Sequence, residues 1–175
     1  MDMNNKTNQL YNKGDYVVYG ENGVCKIIDV REEDFIGLEK MPYYVLETVY
    51  SKTTIFIPIN SDALVGKLNP VLSTDEINRL IDNTDKISEE WINDSKERAE
   101  HFGELLDNGE RKEILWLIKV LTSHKHDVEE QNKRFYISDK NILTSAEKII
   151  IEEFAFVLGI DKKDVISYIR KRLQK

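Results

Sequence analysis

The residues that interrupt regular secondary structure are concentrated in the first part of this chain, and this distribution constrains the fold more than any other feature. Of the 8 glycines and 3 prolines among 175 residues, eight lie within residues 1–70, and six of the 8 tyrosines lie within the first 50. Glycine, proline, tyrosine and β-branched residues mark turns and strands, whereas long stretches without glycine or proline favour helices. The sequence therefore predicts an α+β protein, with a β-rich module that ends near Pro70 and a helical module after it.

In the first module, short β-branched segments alternate with turn residues. Strands are predicted at residues 15–19, 24–31, 43–50 and 53–57, with a short fifth strand within 65–72. Gly20 and Gly23 allow a tight turn between the first two strands, because glycine adopts positive φ angles freely. Five short strands with tight turns are typical of a small SH3-like or Tudor-like β-barrel, in which closure of the sheet leaves few unpaired edges.

The second module has apolar residues at helical spacing. Ser73 and Glu76 form a capping-box pattern at the start of a helix that runs to about residue 82. Further helices are predicted at residues 88–106, 110–130, 138–158 and 161–173. Gly109 and Gly159 are expected to end the first and third of these. Four of the five helices are long enough to form a bundle around one core. The predicted organisation is therefore a polar or disordered tail at residues 1–10, a barrel at 11–70 and a helical domain at 71–175.

Charge and apolar content exclude several classes of protein. A net charge of −7 argues against binding of nucleic acid by bulk charge alone. The longest uncharged apolar run, at residues 154–160, is far shorter than the roughly 18 residues of a membrane span. The polar first ten residues lack the apolar segment of a secretory signal. Cys25 is the single cysteine, which excludes an intramolecular disulfide. We expect a reduced, soluble, cytoplasmic protein.

Catalytic and metal-binding chemistry is hard to assign to any group of residues. The glycine spacing matches neither a phosphate-binding loop nor a dinucleotide-binding loop. His124 and His126 are two positions apart on a predicted helix, so solvent-exposed histidines are favoured over a metal site. Cys25 lies in the middle of a predicted strand, which favours a buried thiol over a nucleophile. The sequence indicates no enzyme, no cofactor and no metal, and leaves an enzyme with an acidic active site as a minor alternative.

The helical module is divided in charge. Residues 75–110 hold 12 acidic and four basic residues, whereas residues 111–175 hold 14 basic and 10 acidic residues. The acidic part is most simply a solvated helix surface. The basic part would let one face approach a phosphate backbone, in a contact that is small and strongly salt-dependent. The tyrosines of the barrel favour cross-strand packing over an aromatic cage for a cation.

Several short motifs occur in a characteristic order along the chain. Residues 11–19 read Tyr-Asn-Lys-Gly-Asp-Tyr-Val-Val-Tyr, and Gly23-Val24 follow. A strand at 43–46 and a strand ending in Ile57-Pro58 come next. The helical half has a tryptophan at the start of the second predicted helix, then Gly109-Glu110, and later Asp139-Lys140. Over about residues 10–172, this order resembles the CarD family of bacterial transcription regulators.

The resemblance implies a non-enzymatic transcription regulator. In the family, the Tudor-like module binds the β subunit of RNA polymerase, as does the related module of transcription–repair coupling factors. The helical domain contacts promoter DNA just upstream of the melted region, where a tryptophan is wedged at the minor groove and basic residues hold the backbone, which stabilises the open complex. Carried over to this chain, the polymerase-binding positions are Glu33, Phe35, Ile55 and Phe56. The DNA-contacting positions are Trp91, Lys96, Arg98, Lys119 and Lys140.

This chain also departs from the family pattern. Glu33 and Phe56 stand where the family carries arginines that reach the polymerase, so an ionic contact would be weakened or reshaped. Counting back from Gly109 places the family's tryptophan at Ser95, one helical turn after Trp91, which leaves Trp91 open between a DNA-facing and a packed position. The strand at 53–57 is the candidate docking edge, by pairing with a partner strand. The alternative function is a protein-interaction adaptor of the same fold without DNA contact.

Overall fold

The computed structural model describes residues 9–35, 37, 40–84 and 91–173. The chain divides into two compact units, Met1–Val71 and Leu72–Lys175. The described strands all lie in the first unit, and the second unit is helical apart from a short 3-10 turn and its connections. This arrangement confirms the predicted α+β class, with a β-rich N-terminal part followed by helices.

The first unit is a five-stranded antiparallel sheet in the order β4-β3-β2-β1-β5. Its strands are β1 (Tyr16–Tyr19), β2 (Val24–Glu33), β3 (Met41–Thr48), β4 (Thr54–Pro58) and β5 (Leu68–Pro70). A single helical turn, α1 (Asp62–Val65), connects the last two strands. The long β2 pairs with both β1 and β3, and its register with β3 shifts between Ile27 and Asp29. Among the described strands, β4 and β5 stand at the two ends of the order.

The turn between β1 and β2 requires its glycines. Gly20 and Gly23 have φ angles of 45° and 71°, in the left-handed region that side chains with a Cβ seldom adopt. The Tyr19 N–H donates to the Gly23 carbonyl at 3.1 Å, which brings the two strands into register. The predicted turn is confirmed.

Apolar side chains from alternate strand positions form the core of the sheet unit. Its most buried members are Val17, Cys25, Ile27, Tyr44, Leu46 and Ile57. Cys25 is fully buried, as the sequence predicted for a structural thiol.

The buried Tyr44 holds the start of the described chain. Its hydroxyl accepts hydrogen bonds from the N–H groups of Leu10 at 2.9 Å and Tyr11 at 3.2 Å. The Tyr11 hydroxyl donates to the Leu68 carbonyl at 2.7 Å, and partial burial raises the pKa of this phenol. Residues 1–8 of the predicted tail lie outside the described residues. The backbone at residues 10 and 11 is tethered to the sheet unit.

The second unit contains five helices that the described residues define. They are α2 (Thr74–Asp82), α3 (Ser95–Asn108), α4 (Arg111–Glu130), α5 (Ile137–Leu158) and α6 (Val165–Leu173). Ser73 and Glu76 form the predicted capping box, in which the Ser73 N–H donates to the Glu76 carboxylate at 2.7 Å. This hydrogen bond lowers the pKa of Glu76. Residues 162–164 form a 3-10 turn before α6, where the sequence predicted α-helix from residue 161.

The start of α3 differs from the prediction. The sequence predicted a helix from residue 88 that includes Trp91, but residues 91–94 are not helical and α3 begins at Ser95. Asp94 is the N-cap, and its carboxylate accepts from the N–H groups of Lys96 at 3.0 Å and Glu97 at 2.8 Å. This cap satisfies N–H groups that would otherwise lack partners at the helix start. Residues 85–90 lie outside the described part.

Gly109 and Gly159 end their helices for different reasons. Gly159 adopts the left-handed conformation, with φ 65°, and its N–H donates to the Ala155 carbonyl. Gly109 is extended, with φ −68°, and its N–H donates to the Leu105 carbonyl at 2.8 Å. A Cβ at position 109 would collide with that carbonyl, so close approach rather than a positive φ requires glycine here.

The helical unit buries both apolar side chains and charged pairs. Its apolar core includes Ile77, Phe102, Leu117, Leu121, Phe154 and Val165. Arg111 donates from Nε to Glu153 at 2.8 Å and from Nη2 at 3.1 Å, and the pair is almost entirely buried. Glu153 also accepts from the Leu72 N–H at 3.0 Å, which ties the start of the unit to α5. Within the described residues, no helix is both long and apolar enough to cross a membrane.

Candidate functional site

Three aromatic rings meet beside the end strand of the sheet. Phe35 follows β2, Tyr43 lies on β3 and Phe56 lies on β4. The Phe35 ring centroid is 5.3 Å from that of Tyr43 and 5.2 Å from that of Phe56, and the rings meet edge to face. Tyr43 is buried, whereas Phe35 is 37% exposed. We name these residues the aromatic cluster; it presents apolar surface to solvent next to β4, which pairs with β3 alone among the described strands.

The other two predicted polymerase-binding residues occupy different surroundings. Ile55 is partly buried against the core of the sheet, because successive residues of a strand point to opposite faces. Glu33 accepts a hydrogen bond from Arg31 Nε at 2.6 Å. The structure therefore brings Phe35 and Phe56 together, keeps Glu33 in an ion pair and turns Ile55 inward.

The ion pairs around Glu33 lie at the surface of the sheet. Arg31 also donates to Asp29 at 3.1 Å, and Lys40 pairs with Glu32 at 2.8 Å. The hydrogen bond from Arg31 lowers the pKa of Asp29, and the hydrogen bonds to Glu33 and Asp29 raise the pKa of Arg31. Both charge signs therefore alternate next to the aromatic cluster.

In the helical unit, Trp91 belongs to a stack of side chains. Its ring lies 3.5 Å from the His124 ring at an angle of 13°, and the Arg98 guanidinium lies 4.5 Å from its centroid. Phe102 meets it edge to face at 6.3 Å. Trp91 is half-buried. Its position before α3 comes from the Asp94 cap, which starts the helix after it.

Arg98 lies inside the helical unit. It is 4% exposed and donates from Nε and Nη2 to the two carboxylate oxygens of Asp139, each at 3.2 Å. Its Nη1 donates to the carbonyls of Ile92 at 2.8 Å and Asn93 at 3.3 Å. The guanidinium of Arg98 is therefore buried and engaged by this bidentate pair, so a phosphate contact by Arg98 would require the pair to open. Arg98 links the start of α3 to the start of α5.

His124 differs from its prediction, whereas His126 agrees with it. His126 is exposed and lies 3.7 Å from Glu130. His124 was expected in solvent, but it is half-buried against Trp91. Burial lowers the pKa of His124; Arg98 adds to this effect, and Asp139 and Asp127 oppose it. The neutral imidazole is therefore favoured in the folded protein.

The predicted lysines occupy two places. Lys96 and Lys140 are both exposed, and each lies within two residues of a member of the Arg98–Asp139 pair. Lys119 lies on α4, where its Nζ is 3.5 Å from the Thr84 carbonyl. It borders a cavity of about 440 Å³ that is lined mainly by apolar side chains such as Ile118, Ile150 and Phe154. Sequence reasoning grouped the three lysines; the fold places Lys119 in different surroundings from the other two.

Sequence reasoning missed an exposed segment at the start of α5. Tyr136 and Ile137 are 66% and 77% exposed, and Lys133 and Arg134 just before them are also exposed. The signal was present in the run Lys-Arg-Phe-Tyr-Ile at residues 133–137, in which basic and aromatic residues adjoin. The run lies between two predicted helices. Helical periodicity predicts which side chains of a helix are buried, so it does not predict exposure in this connection.

Comparisons with known proteins define the class of the first unit. Residues 11–71 match the family model of the CarD-like/TRCF RID domain, and the five-stranded sheet lies within this range. The first unit is therefore similar to CarD-like/TRCF RID domains.

The similarity extends beyond this domain. Over 159 residues, which are 91% of this chain and 99% of the relative, the sequence is 24% identical to "Putative transcription factor YdeB" of Bacillus subtilis (strain 168). The family match and this relative confirm the resemblance that the motif order indicated.

Proposed function

We propose that this chain is a transcription regulator that binds the β subunit of RNA polymerase through residues 11–71 and contacts promoter DNA through its helical unit, so that it changes the stability of the open complex. The observation that carries the proposal is the family match at residues 11–71, which coincides with the sheet unit. The chain acts by binding and needs no catalytic group.

The polymerase contact is supported by the surface beside β4. A strand at the end of a sheet has backbone groups free to pair with a partner strand, and side-chain pockets beside it give specificity. The aromatic cluster offers such apolar surface through Phe35 and Phe56. Because Phe56 stands where the family carries an arginine, we expect the contact to be apolar. It should therefore weaken little as salt screens charge.

A binding measurement with matched variants tests the polymerase contact. The tagged full chain is titrated against purified polymerase at two salt concentrations. Phe35→Arg and Phe56→Arg place a charge on the aromatic cluster, and we expect each to weaken binding about tenfold or more, since unpaired charge at an interface core is costly. Tyr50→Arg is the control, because Tyr50 is 38% exposed and Phe35 is 37% exposed in the same unit. Equal binding by all three variants would remove the aromatic cluster from the proposal.

The DNA contact of the proposal rests on the exposed lysines. Lys96 and Lys140 remain candidates for phosphate contacts, and Lys119 remains a separate candidate on α4. Arg98 is not carried forward, because it is buried with Asp139. For Trp91 to act as a wedge it would have to leave its stack on His124.

The burial of Arg98 favours a second function, an adaptor that binds polymerase without touching DNA. Titration of the full chain with a promoter-like duplex at low and moderate salt separates the two. A DNA-contacting regulator binds at low salt and loses affinity steeply as salt rises. An undetectable response at both concentrations, with polymerase binding intact, would establish the adaptor.

A further inference from the structure

A cavity of about 440 Å³ lies among α2, α4, α5 and α6 of the helical unit. Most of its lining is apolar and comes from all four helices: Ile81, Leu115, Ile118, Ile150, Ile151, Phe154, Ile166 and Ile169. Protein interiors rarely leave voids much larger than a water molecule. Binding sites for small molecules enclose about 300–1,000 Å³ and often lie between the helices of a bundle. The volume of this cavity is therefore that of a ligand site.

Polar contacts outside the cavity lining hold its walls apart. On α6, the Tyr168 hydroxyl donates to Asn78 Oδ1 of α2 at 2.7 Å. The buried Arg111–Glu153 pair joins α4 to α5 at 2.8 Å, and Glu153 also accepts from the Leu72 N–H, just before α2, at 3.0 Å. These directional contacts set the spacing of the four helices, so closure of the cavity would require them to break.

The cavity has a polar end and an apolar end. Arg111 is the first residue of α4 and pairs with Glu153 near the end of α5, so the two helices are antiparallel. Leu115, early in α4, therefore lies towards the same end as Phe154, late in α5. The opposite end holds the lining side chains of α4 and α5 that can form hydrogen bonds: Lys119, Thr122, Ser123 and Glu147. A ligand that matches this lining is itself amphipathic.

The charges of the lining favour a neutral head group. Among the described lining residues, the ionisable ones are one cation, Lys119, and one anion, Glu147. A head group with a net charge is attracted by one of them and repelled by the other. A neutral group that both donates and accepts hydrogen bonds can interact with both. Ile166, which is 43% exposed, places apolar surface where the cavity opens to solvent.

We propose that this cavity binds a small amphipathic molecule, an aliphatic chain with a neutral hydroxyl or amide head group. The chain lies towards Leu115 and Phe154, and the head group lies near Lys119 and Glu147. An apolar cavity of about 150 Å³ holds benzene, so this one admits a ligand of about fifteen non-hydrogen atoms. The bound molecule contacts four helices at once and stabilises the helical unit by mass action. Polymerase binding by the sheet unit does not enter this proposal, which goes beyond the proposed function.

Calorimetric titration of the full chain with eight-carbon probes tests the proposal. The probes are 1-octanol, octanoate and octylammonium, which share a chain and differ in head-group charge. We expect 1-octanol to bind about tenfold more tightly than either charged probe, because each of these meets a like charge at the polar end. In the series from 1-octanol to 1-hexanol and 1-butanol, affinity should fall about fourfold for each methylene group removed, since each buried methylene favours binding by about that factor.

Variants of the lining locate the binding. Ile118→Trp fills the cavity and should weaken 1-octanol binding tenfold or more. Glu147→Gln leaves the charge of Lys119 unbalanced and should shift the preference to octanoate, whereas Lys119→Gln should shift it to octylammonium. Lys125→Gln and Glu129→Gln are the matched controls, at exposed positions of α4 outside the lining, and should keep the preference for 1-octanol.

Each outcome bears on the cavity separately from the proposed function. Preference for 1-octanol in the wild type, with the two expected shifts in the charge variants, supports the proposal. Equal affinity for all three head groups, or unchanged 1-octanol binding by an Ile118→Trp protein that circular dichroism shows to be folded, overturns it. If Ile118→Trp does not fold, the charge variants decide. Absence of binding by every probe also overturns the proposal, and a polymerase titration of the same protein shows that the proposed function stands.

Discussion

The two units of this chain place their ion pairs in opposite environments. In the sheet unit, Arg31 and Glu33 lie 2.6 Å apart at the surface, where the glutamate side chain is 26% exposed. In the helical unit, Arg111 and Glu153 lie 2.8 Å apart, and the glutamate side chain is fully buried. The two pairs have nearly the same geometry, so distance alone does not distinguish them.

Burial decides what each pair contributes. Water screens a surface pair, and such pairs stabilise proteins by about 0–1 kcal/mol. A buried pair stabilises little compared with an apolar replacement, but removal of one partner leaves an unpaired charge in the interior. The sheet unit is therefore held mainly by its apolar core, whereas the helical unit also depends on two buried pairs that join its helices.

The largest expected effect comes from breaking a buried pair. Glu153→Ala should lower the free energy of unfolding of the helical unit by about 3–5 kcal/mol, because Arg111 is left buried without its carboxylate. The matched change in the sheet unit, Glu33→Ala, should cost less than about 1 kcal/mol. Tryptophan fluorescence during urea unfolding reports the helical unit, since Trp91 and Trp116 both lie in it. Similar losses in both variants would contradict the comparison.

The next effect concerns the apolar core of the sheet unit. Ile27 is fully buried there, and Ile27→Ala should destabilise the unit by about 2–5 kcal/mol through lost burial and the cavity that remains. Tyrosine absorbance and circular dichroism follow this unit, which holds six of the 8 tyrosines. Lys26→Ala, at the exposed neighbouring position, is the control. A loss no larger than that of the control would show that the core tolerates the cavity.

A smaller effect is expected at the start of α2. Ser73→Ala removes the side chain that accepts the Glu76 N–H at 3.3 Å, and should cost about 1 kcal/mol. Ser73→Asp retains an acceptor at the cap and should restore most of the loss. Thermal unfolding of the two variants beside the wild type measures both effects. Equal stability of all three proteins would mean that the capping box contributes nothing.

The smallest effect is a pH dependence confined to the helical unit. Burial lowers the pKa of His124 below its usual 6.5, so the unfolded chain binds the proton more readily than the folded protein. Stability from this group is present above pH 6.5 and is lost as pH falls through the folded pKa. His124→Gln should flatten this decline in tryptophan-detected unfolding, and His126→Gln should not. The sheet unit should show no such window, because all three histidines lie outside it.

Local signals in the sequence were sufficient for much of the fold. Ser73 and Glu76 predicted the capping box, and Gly20 and Gly23 predicted the first turn, because each pattern involves residues close together in the chain. The predicted start of α3 was wrong. Trp91 and Ile92 fit the apolar spacing of the helix, so the helix was predicted to include them. The Asp94 cap instead starts the helix at Ser95, after both residues.

The geometry of the candidate sites was harder to predict from the sequence. Phe35 and Phe56 were assigned through the family resemblance, and their contact with each other depends on how β2, β3 and β4 pair. Arg98 was expected at DNA, but its partner Asp139 lies 41 residues away. Nothing within a helical turn of Arg98 reveals that carboxylate, so its burial could not be predicted.

By itself, the sequence determined the division into strands and helices, most helix ends and the resemblance to the CarD family. These follow from breakers, caps and motif order, which act over a few residues each. Tertiary structure alone decided which charges are buried and which apolar side chains remain in solvent. Arg98 and Lys133 are both cations, yet Arg98 is enclosed by the carboxylate of Asp139, 41 residues away, whereas Lys133 is exposed. Solvation is set by the whole packed unit, so no local pattern separates the two.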